Sequence, residues 1–295
     1  MNLALALGGG GAKGHAHLGV LRVLEQENFR ITAIAGTSAG GIIGACYAAG
    51  YTPDELVDYF QQIDQSNLYR RRPEDGPSFL GVKGLNRMFE ELLGERTFAD
   101  LRIPLVLTAV DLNTGAEVFL REGRVVDAVL ATMAIPGIFP PQEWDNALLV
   151  DGGVLDPVPV APARGLAPGA PVLAVALTPP LQSARRMTAM IKPPPVPVLE
   201  RFVRSRVVQA FNIFAQAMSI NTAALTEFRL QLDPPDVLLR PEVSDIGVLD
   251  YVNVAEMARR GEAVARRHLP EIRRAAGWQG RLRRLVRPRR ACDGA

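Results

Sequence analysis

The chain has 295 residues, 48% hydrophobic and 22% charged, with a formal net charge of +2, a balance that supports a sizeable core in one large or two ordinary domains. Its two cysteines, Cys46 and Cys292, are too few and too far apart for a disulfide framework and read as reduced thiols. No apolar run approaches the ~18 residues that a membrane span needs, so the expectation is a cytosolic globular protein.

The first predicted element is a strand over residues 3–7, LALAL. It has no basic region before it and runs into glycines instead of a cleavage site, so it reads as a strand and not a signal peptide. It delivers Gly9-Gly10-Gly11-Ala12-Lys13-Gly14, which opens a helix carrying Leu18, Leu21, Val23 and Leu24. A glycine loop at a helix N-terminus leaves backbone N–H groups free to hold an anion. A dinucleotide-binding turn would call for a carboxylate about 20 residues on, at the end of the next strand. That strand, residues 31–35, ends in Gly36-Thr37-Ser38 and offers none. A phosphate-cradling P-loop requires Ser or Thr after its lysine, whereas Lys13 is followed by Gly14.

The same strand feeds Gly36-Thr37-Ser38-Ala39-Gly40 and a helix over residues 40–49. Ser38 as a plain helix cap explains one hydroxyl but not the glycines on both sides of it. A sharp strand-to-helix turn that exposes a serine Oγ explains all three. Strands that neighbour in sequence usually neighbour in a sheet, so the donors of the first turn are expected to face the serine of the second.

Further along, helices are predicted over residues 53–63, 85–93 and 125–133, and extended segments over 104–110, 117–120, 148–150 and 172–177. This alternation predicts an α/β fold with helices on both faces of a largely parallel sheet. No internal repeat is present.

A base for Ser38 comes next, and the chain has three histidines. His15 and His17 sit beside the glycine loop and read as packed or solvated residues. Ser38, Asp151 and His268 would follow the chain order of an α/β-hydrolase triad, but His268 ends a basic helical stretch, and the serine turn arrives after a single earlier strand. Asp151 is the better partner. An apolar strand carries it into Asp151-Gly152-Gly153, where a buried carboxylate with few hydrogen bonds rises toward neutral pKa and accepts a serine proton directly. Taken alone, Asp-Gly is equally a hairpin turn.

These three motifs in this order resemble the signatures of the patatin-like phospholipase family, in particular its bacterial, neuropathy-target-esterase-like branch. Residues 16–21, 108–114, 131–141 and 156–160 resemble that branch too, and the likeness is nearly continuous from residue 3 to about residue 180. The resemblance implies a three-layer α/β/α fold with a mostly parallel sheet and a serine lipid acyl hydrolase that uses neither cofactor nor metal. It assigns Ser38 as nucleophile and Asp151 as base, with Gly36, Thr37, Ala39 and Gly40 forming the elbow and Gly152 and Gly153 the base turn. The stretch Gly9, Gly10, Gly11, Ala12, Lys13, Gly14 becomes the oxyanion loop, its donors being the N–H groups of Gly10, Gly11 and Ala12. An apolar acyl channel is expected, with residues 135–139 as a candidate wall. Two alternatives stay open: a thioesterase or small-ester esterase of the same fold, and a non-enzymatic nucleotide-binding or regulatory module.

Two segments stand apart from a catalytic domain placed at residues 1–258. Residues 181–206 hold six basic residues and one acid around a proline-rich stretch, a linker or a lid touching lipid. Residues 259–295 hold twelve arginines and three acids, a net +9, which leaves 21 basic and 28 acidic residues elsewhere. Leu282, Leu285 and Val286 among arginines form a basic amphipathic pattern suited to an anionic membrane, or the segment is a solubilising tail. Nucleic acid is not an expected partner, because Trp278 is the only aromatic there.

Overall fold

The computed structural model describes residues 1–63, 68–69, 78, 80–180, 206–278 and 280, with the backbone alone for 206–212. The expected linker or lid over 181–205 and the end of the tail, 281–295, lie outside the described residues.

A mixed eight-stranded sheet forms the middle layer. Its strands are β1 (Asn2–Leu7), β2 (Arg30–Gly36), β3 (Leu105–Asp111), β4 (Glu117–Leu120), β5 (Gln142–Trp144), β6 (Ala147–Asp151), β7 (Val172–Val175) and β8 (Val237–Leu239). They lie in the order β5-β6-β3-β2-β1-β7-β8, with β4 paired to β3 off that path. The strands from β3 to β8 in that order are mutually parallel, while β4, β6 and β5 are antiparallel additions. β3 and β7 are buried along their whole length, as parallel strands covered on both faces are.

The period-2 alternation of the strands sorts side chains by size. Leu3, Leu5, Leu7 and Ile34 enter one apolar cluster, whereas Ala4, Ala6, Ala33 and Ala35 enter another on the opposite face. Against the leucine face pack α1 (Ala16–Gln26), α2 (Ala39–Ala49), α3 (Pro53–Gln62), α4 (Lys83–Leu93), α5 (Val125–Thr132) and α8 (Val254–Ala276). The alanine face takes α6 (Val160–Leu166) and Leu230 of α7 (Arg206–Leu232). Two helical layers on one sheet make the expected α/β/α sandwich.

The expected break after residue 258 falls inside α8. Met257, Ala258, Val264, Ala265 and Ile272 join the main core, and α8 lies directly on α1. A Cβ on Gly19 would sit 1.8 Å from Ala258 O, and one on Gly261 would sit 1.9 Å from Ala16 O, so only glycine allows this approach. Several arginines assigned to a tail serve the fold instead: Arg260 pairs with Asp245 and Glu256, and Arg273 with Glu27. The α7 helix, 27 residues long, has no counterpart among the predicted elements.

Candidate active site

Ser38 occupies the turn between β2 and α2 with φ 53° and ψ −123°. A non-glycine residue there costs on the order of 1–3 kcal/mol and persists only where its surroundings hold it. Thr37 N donates to Leu7 O at 3.0 Å. Ser38 N donates to Thr132 Oγ1 at 3.0 Å, and that hydroxyl donates to Thr108 O at 2.6 Å. Gly36 and Gly40 let the chain fold this tightly: a Cβ on Gly40 would lie 2.1 Å from Leu7 O. Ala39, the first residue of α2, rests on Gly14, where a Cβ would come within 2.6 Å of it. The two turns therefore face each other, with Gly9 close enough to Ser38 that its Cβ would lie 3.2 Å from the serine Cβ.

The glycine loop is not a uniform row of donors. Gly9 N donates to Pro157 O at 3.0 Å, Ala12 N to Val248 O at 2.8 Å and Lys13 N to Gly10 O at 3.4 Å. Among the described residues, the N–H groups of Gly10 and Gly11 have no internal acceptor, and both glycines line the cleft that holds Ser38. Ala12 is thus removed from the expected donor set, because a distant loop supplies its acceptor. Lys13 and Gly14 continue into a 3₁₀ turn, Gly11–His15. Burial lowers the Lys13 ammonium pKa while the charges of Asp250 and Asp245 support it.

None of the histidines reaches the serine. His17 is fully buried and donates from Nε2 to Gly8 O at 2.8 Å, and burial pushes its pKa down to about 4, so it is a neutral buttress under the loop. His15 Nδ1 meets Ala12 O at 3.0 Å, and its ring stands edge-on to Phe60. His268 uses Nδ1 on Val264 O, within α8.

Asp151 ends β6, where it pairs with Ala109 of β3. Its carboxyl lies against Ser38 in the same cleft, and Oδ1 accepts from Gly153 N at 2.7 Å. Burial raises its pKa from the usual carboxylate range to about 6, against the pull of the Ser38 hydroxyl and the Gly153 amide. Gly152 presses this turn onto β3, since a Cβ there would meet Thr108 Oγ1 at 2.1 Å.

Ser38 and Asp151 open into a largely apolar cleft. Ile135, Pro136 and Ile138 of the expected wall line it, while Phe139 is buried and packs against Tyr69. Phe214, Met218 and Thr222, at helical i, i+4 spacing on α7, supply apolar lining that the sequence reading did not anticipate. Among the described residues no cluster of side chains suits a metal ion, and no helix is long and apolar enough to cross a membrane.

The profile of the patatin-like phospholipase family matches residues 5–164. The chain belongs to that family. An uncharacterized NTE family protein of Mycobacterium tuberculosis (strain H37Rv) is 36% identical over 167 residues, covering 56% of this chain and 46% of that protein. Lysophospholipase NTE1 of Saccharomyces cerevisiae is 28% identical over 170 residues, covering 55% of this chain and 10% of its own length. The first of these matches thus spans about half of its relative. VipD from Legionella pneumophila resembles the patatin-like chain in fold, with TM-score 0.50 at 14% identity, covering 91% of this chain and 66% of its own.

Proposed function

We propose that this patatin-like protein is a serine lipid acyl hydrolase of the phospholipase A or lysophospholipase type, working through a Ser38–Asp151 dyad. The observation that carries the reading is the buried Asp151 carboxyl set against Ser38 in one apolar cleft, beside two loop N–H groups that have no acceptor among the described residues. With a pKa of about 6, Asp151 is mostly ionised at neutral pH and still basic enough to accept a proton. It takes the Ser38 proton as Oγ attacks the ester carbonyl carbon. The Gly10 and Gly11 N–H groups hold the resulting oxyanion. The tetrahedral adduct collapses, the C–O bond to the alcohol breaks, and the alcohol leaves with the proton from Asp151. Water then repeats the sequence on the acyl-serine and frees the fatty acid.

The test is labelling by a fluorophosphonate together with hydrolysis of a lipid panel varied in head group and chain length, with Ser38→Ala as control. Serine-dependent release of fatty acid from phospholipid or lysophospholipid supports the reading. Turnover confined to thioesters or short esters would redirect it to an esterase of the same fold, and an unlabelled protein stabilised by a nucleotide would end it. Contact with an anionic membrane belongs to the same proposal and falls to the arginines after residue 278, since several of those on α8 are already paired. A basic residue at an anionic leaflet gains about 1 kcal/mol. Deleting residues 278–295 should weaken binding to phosphatidylglycerol vesicles at low salt and leave hydrolysis of a soluble ester unchanged; equal vesicle binding would make the segment a solubilising tail.

A further inference from the structure

One short segment touches all three parts of the site. Asp156 N donates to Gly152 O at 2.8 Å, and Gly9 N donates to Pro157 O at 3.0 Å. Thr37 Oγ1 donates to Asp156 O at 2.9 Å. The base turn, the glycine loop and the serine elbow therefore hang on residues 156 and 157, and what fixes those residues fixes the relative position of the three.

The anchor is a group of three charged residues, Asp156 buried and Glu117 and Arg229 half-buried. Arg229 of α7 donates from Nη2 to Glu117 Oε2 of β4 at 3.0 Å and from Nε to Leu155 O at 2.8 Å. Asp156 is 3% exposed, and the Val158 amide and the Glu117 carboxyl act on its side chain. The second Glu117 oxygen, Oε1, is buried and has no donor among the described residues. Two carboxylates cannot bond to each other; one must carry a proton. With that proton present the orphan acceptor is satisfied, and the pair keeps a single negative charge for the single guanidinium. Without it, the buried Asp156 carboxylate and the half-buried Glu117 carboxylate face one Arg229, an arrangement disfavoured by like-charge repulsion and by desolvation of Asp156.

We propose that Asp156, holding a proton shared with Glu117, is a positioning residue that keeps the serine elbow, the base turn and the oxyanion loop in register. The inference rests on the Ser38–Asp151 reading. Burial first, and the Glu117 charge second, push the Asp156 pKa up to about 7 against the pull of Arg229. Glu117 from β4 and Arg229 from α7 are the charged groups that act on it among the described residues. Loss of the proton in mild alkali should loosen the hub and lower kcat while substrate binding changes less.

Asp156→Asn tests this, because an amide donates to Glu117 at every pH. Hydrolysis of a soluble short-chain ester by the full chain should decline for the wild type as pH rises through about 7, and the Asn variant should lose that decline while keeping the acid limb set by Asp151. Asp156→Ala, which leaves the hub without a donor, should lower kcat about tenfold or more with a smaller change in KM. Stability supplies an arm independent of activity. An acid whose folded pKa is raised contributes stability below its unfolded value and loses it as pH rises through the folded one. The melting temperature of Asp156→Asn should therefore gain on the wild type as pH rises from about 4 through about 7. Parallel alkaline limbs, or a constant melting-temperature gap, would overturn the proposal. If Ser38→Ala leaves hydrolysis intact, it is the dyad reading that has failed, and the melting curves still decide for or against the proton at Asp156.

Discussion

Two neighbouring units, β1 leading to α1 and β2 leading to α2, are built alike and used in opposite ways. Each leaves the end of a parallel strand through a turn with one residue in the left-handed region, Gly11 at φ 59° and Ser38 at φ 53°. At Gly11 the space where a side chain would stand holds Val248 O, 2.1 Å from a built Cβ. At Ser38 the side chain is what the turn presents, and the glycines move to the flanks. One turn offers backbone donors by removing side chains, and the other offers a hydroxyl by straining a residue that has one. A single conformational device can thus build both halves of the proposed acyl-transfer site, provided that tertiary contacts decide which atoms stay free.

The sharpest break in that comparison is Ser38→Ala. It should remove nearly all ester hydrolysis, on the order of 10⁴-fold or more, with the fold intact by circular dichroism. Asp151→Asn should cost about as much, and the double variant should be no worse than either single one. A double variant far worse than both would mean that the two groups act independently.

Next in size is Gly11→Ala. Strain and the clash with Val248 O should misplace the donors and lower kcat by about 10²–10³ with KM little changed. Gly115→Ala is the matched control: it shares the positive φ but has nothing within 4 Å of a built Cβ, so it should cost about 1 kcal/mol of stability and no activity. A Gly11 variant that raised KM alone would make the loop a binding element.

Lowering the pH acts on the elbow's partner. Asp151 has a pKa of about 6, so kcat/KM should fall about tenfold per unit below that value. The same raised pKa means that the fold gains stability from a protonated Asp151 in acid and loses it as pH rises from about 4 through about 6. Asp151→Asn should accordingly gain melting temperature on the wild type over that range. An acid limb left unmoved in a folded Asp151→Glu variant would point to another base.

The smallest effect separates the histidines. His17→Phe removes the donor to Gly8 O and should slow turnover several-fold through the glycine turn while Ser38 still reacts with a fluorophosphonate. His268→Ala should change neither, and a complete loss of activity in folded protein would restore the triad that the chain order allows.

Much of the site was legible because its demands are local. A strand end followed by Gly9-Gly10-Gly11, or by Gly36-Thr37-Ser38-Ala39-Gly40, can make only a few turns, and Asp151-Gly152-Gly153 after an apolar strand places a carboxylate at a strand end. The α7 wall was less legible. Its apolar residues divide between the cleft, as with Met218, and solvent, as with Ile220 at 55% exposure, so no single stripe marks one buried face. The arginines of α8 read as a tail because their partners, Asp245, Glu242 and Glu27, are remote or unremarkable in the sequence.

The amino-acid order by itself determined the parallel strands, the two left-handed turns and the residues they carry, since apolar runs, glycines and short side chains constrain the backbone where they stand. Which loop N–H groups remain free was decided only in three dimensions. Val248 O takes the Ala12 donor and Pro157 O the Gly9 donor, while Arg229 and Glu117 close on Asp156 from α7 and β4. A hydrogen bond depends on which distant segment supplies its partner. That choice belongs to packing, and no local pattern encodes it.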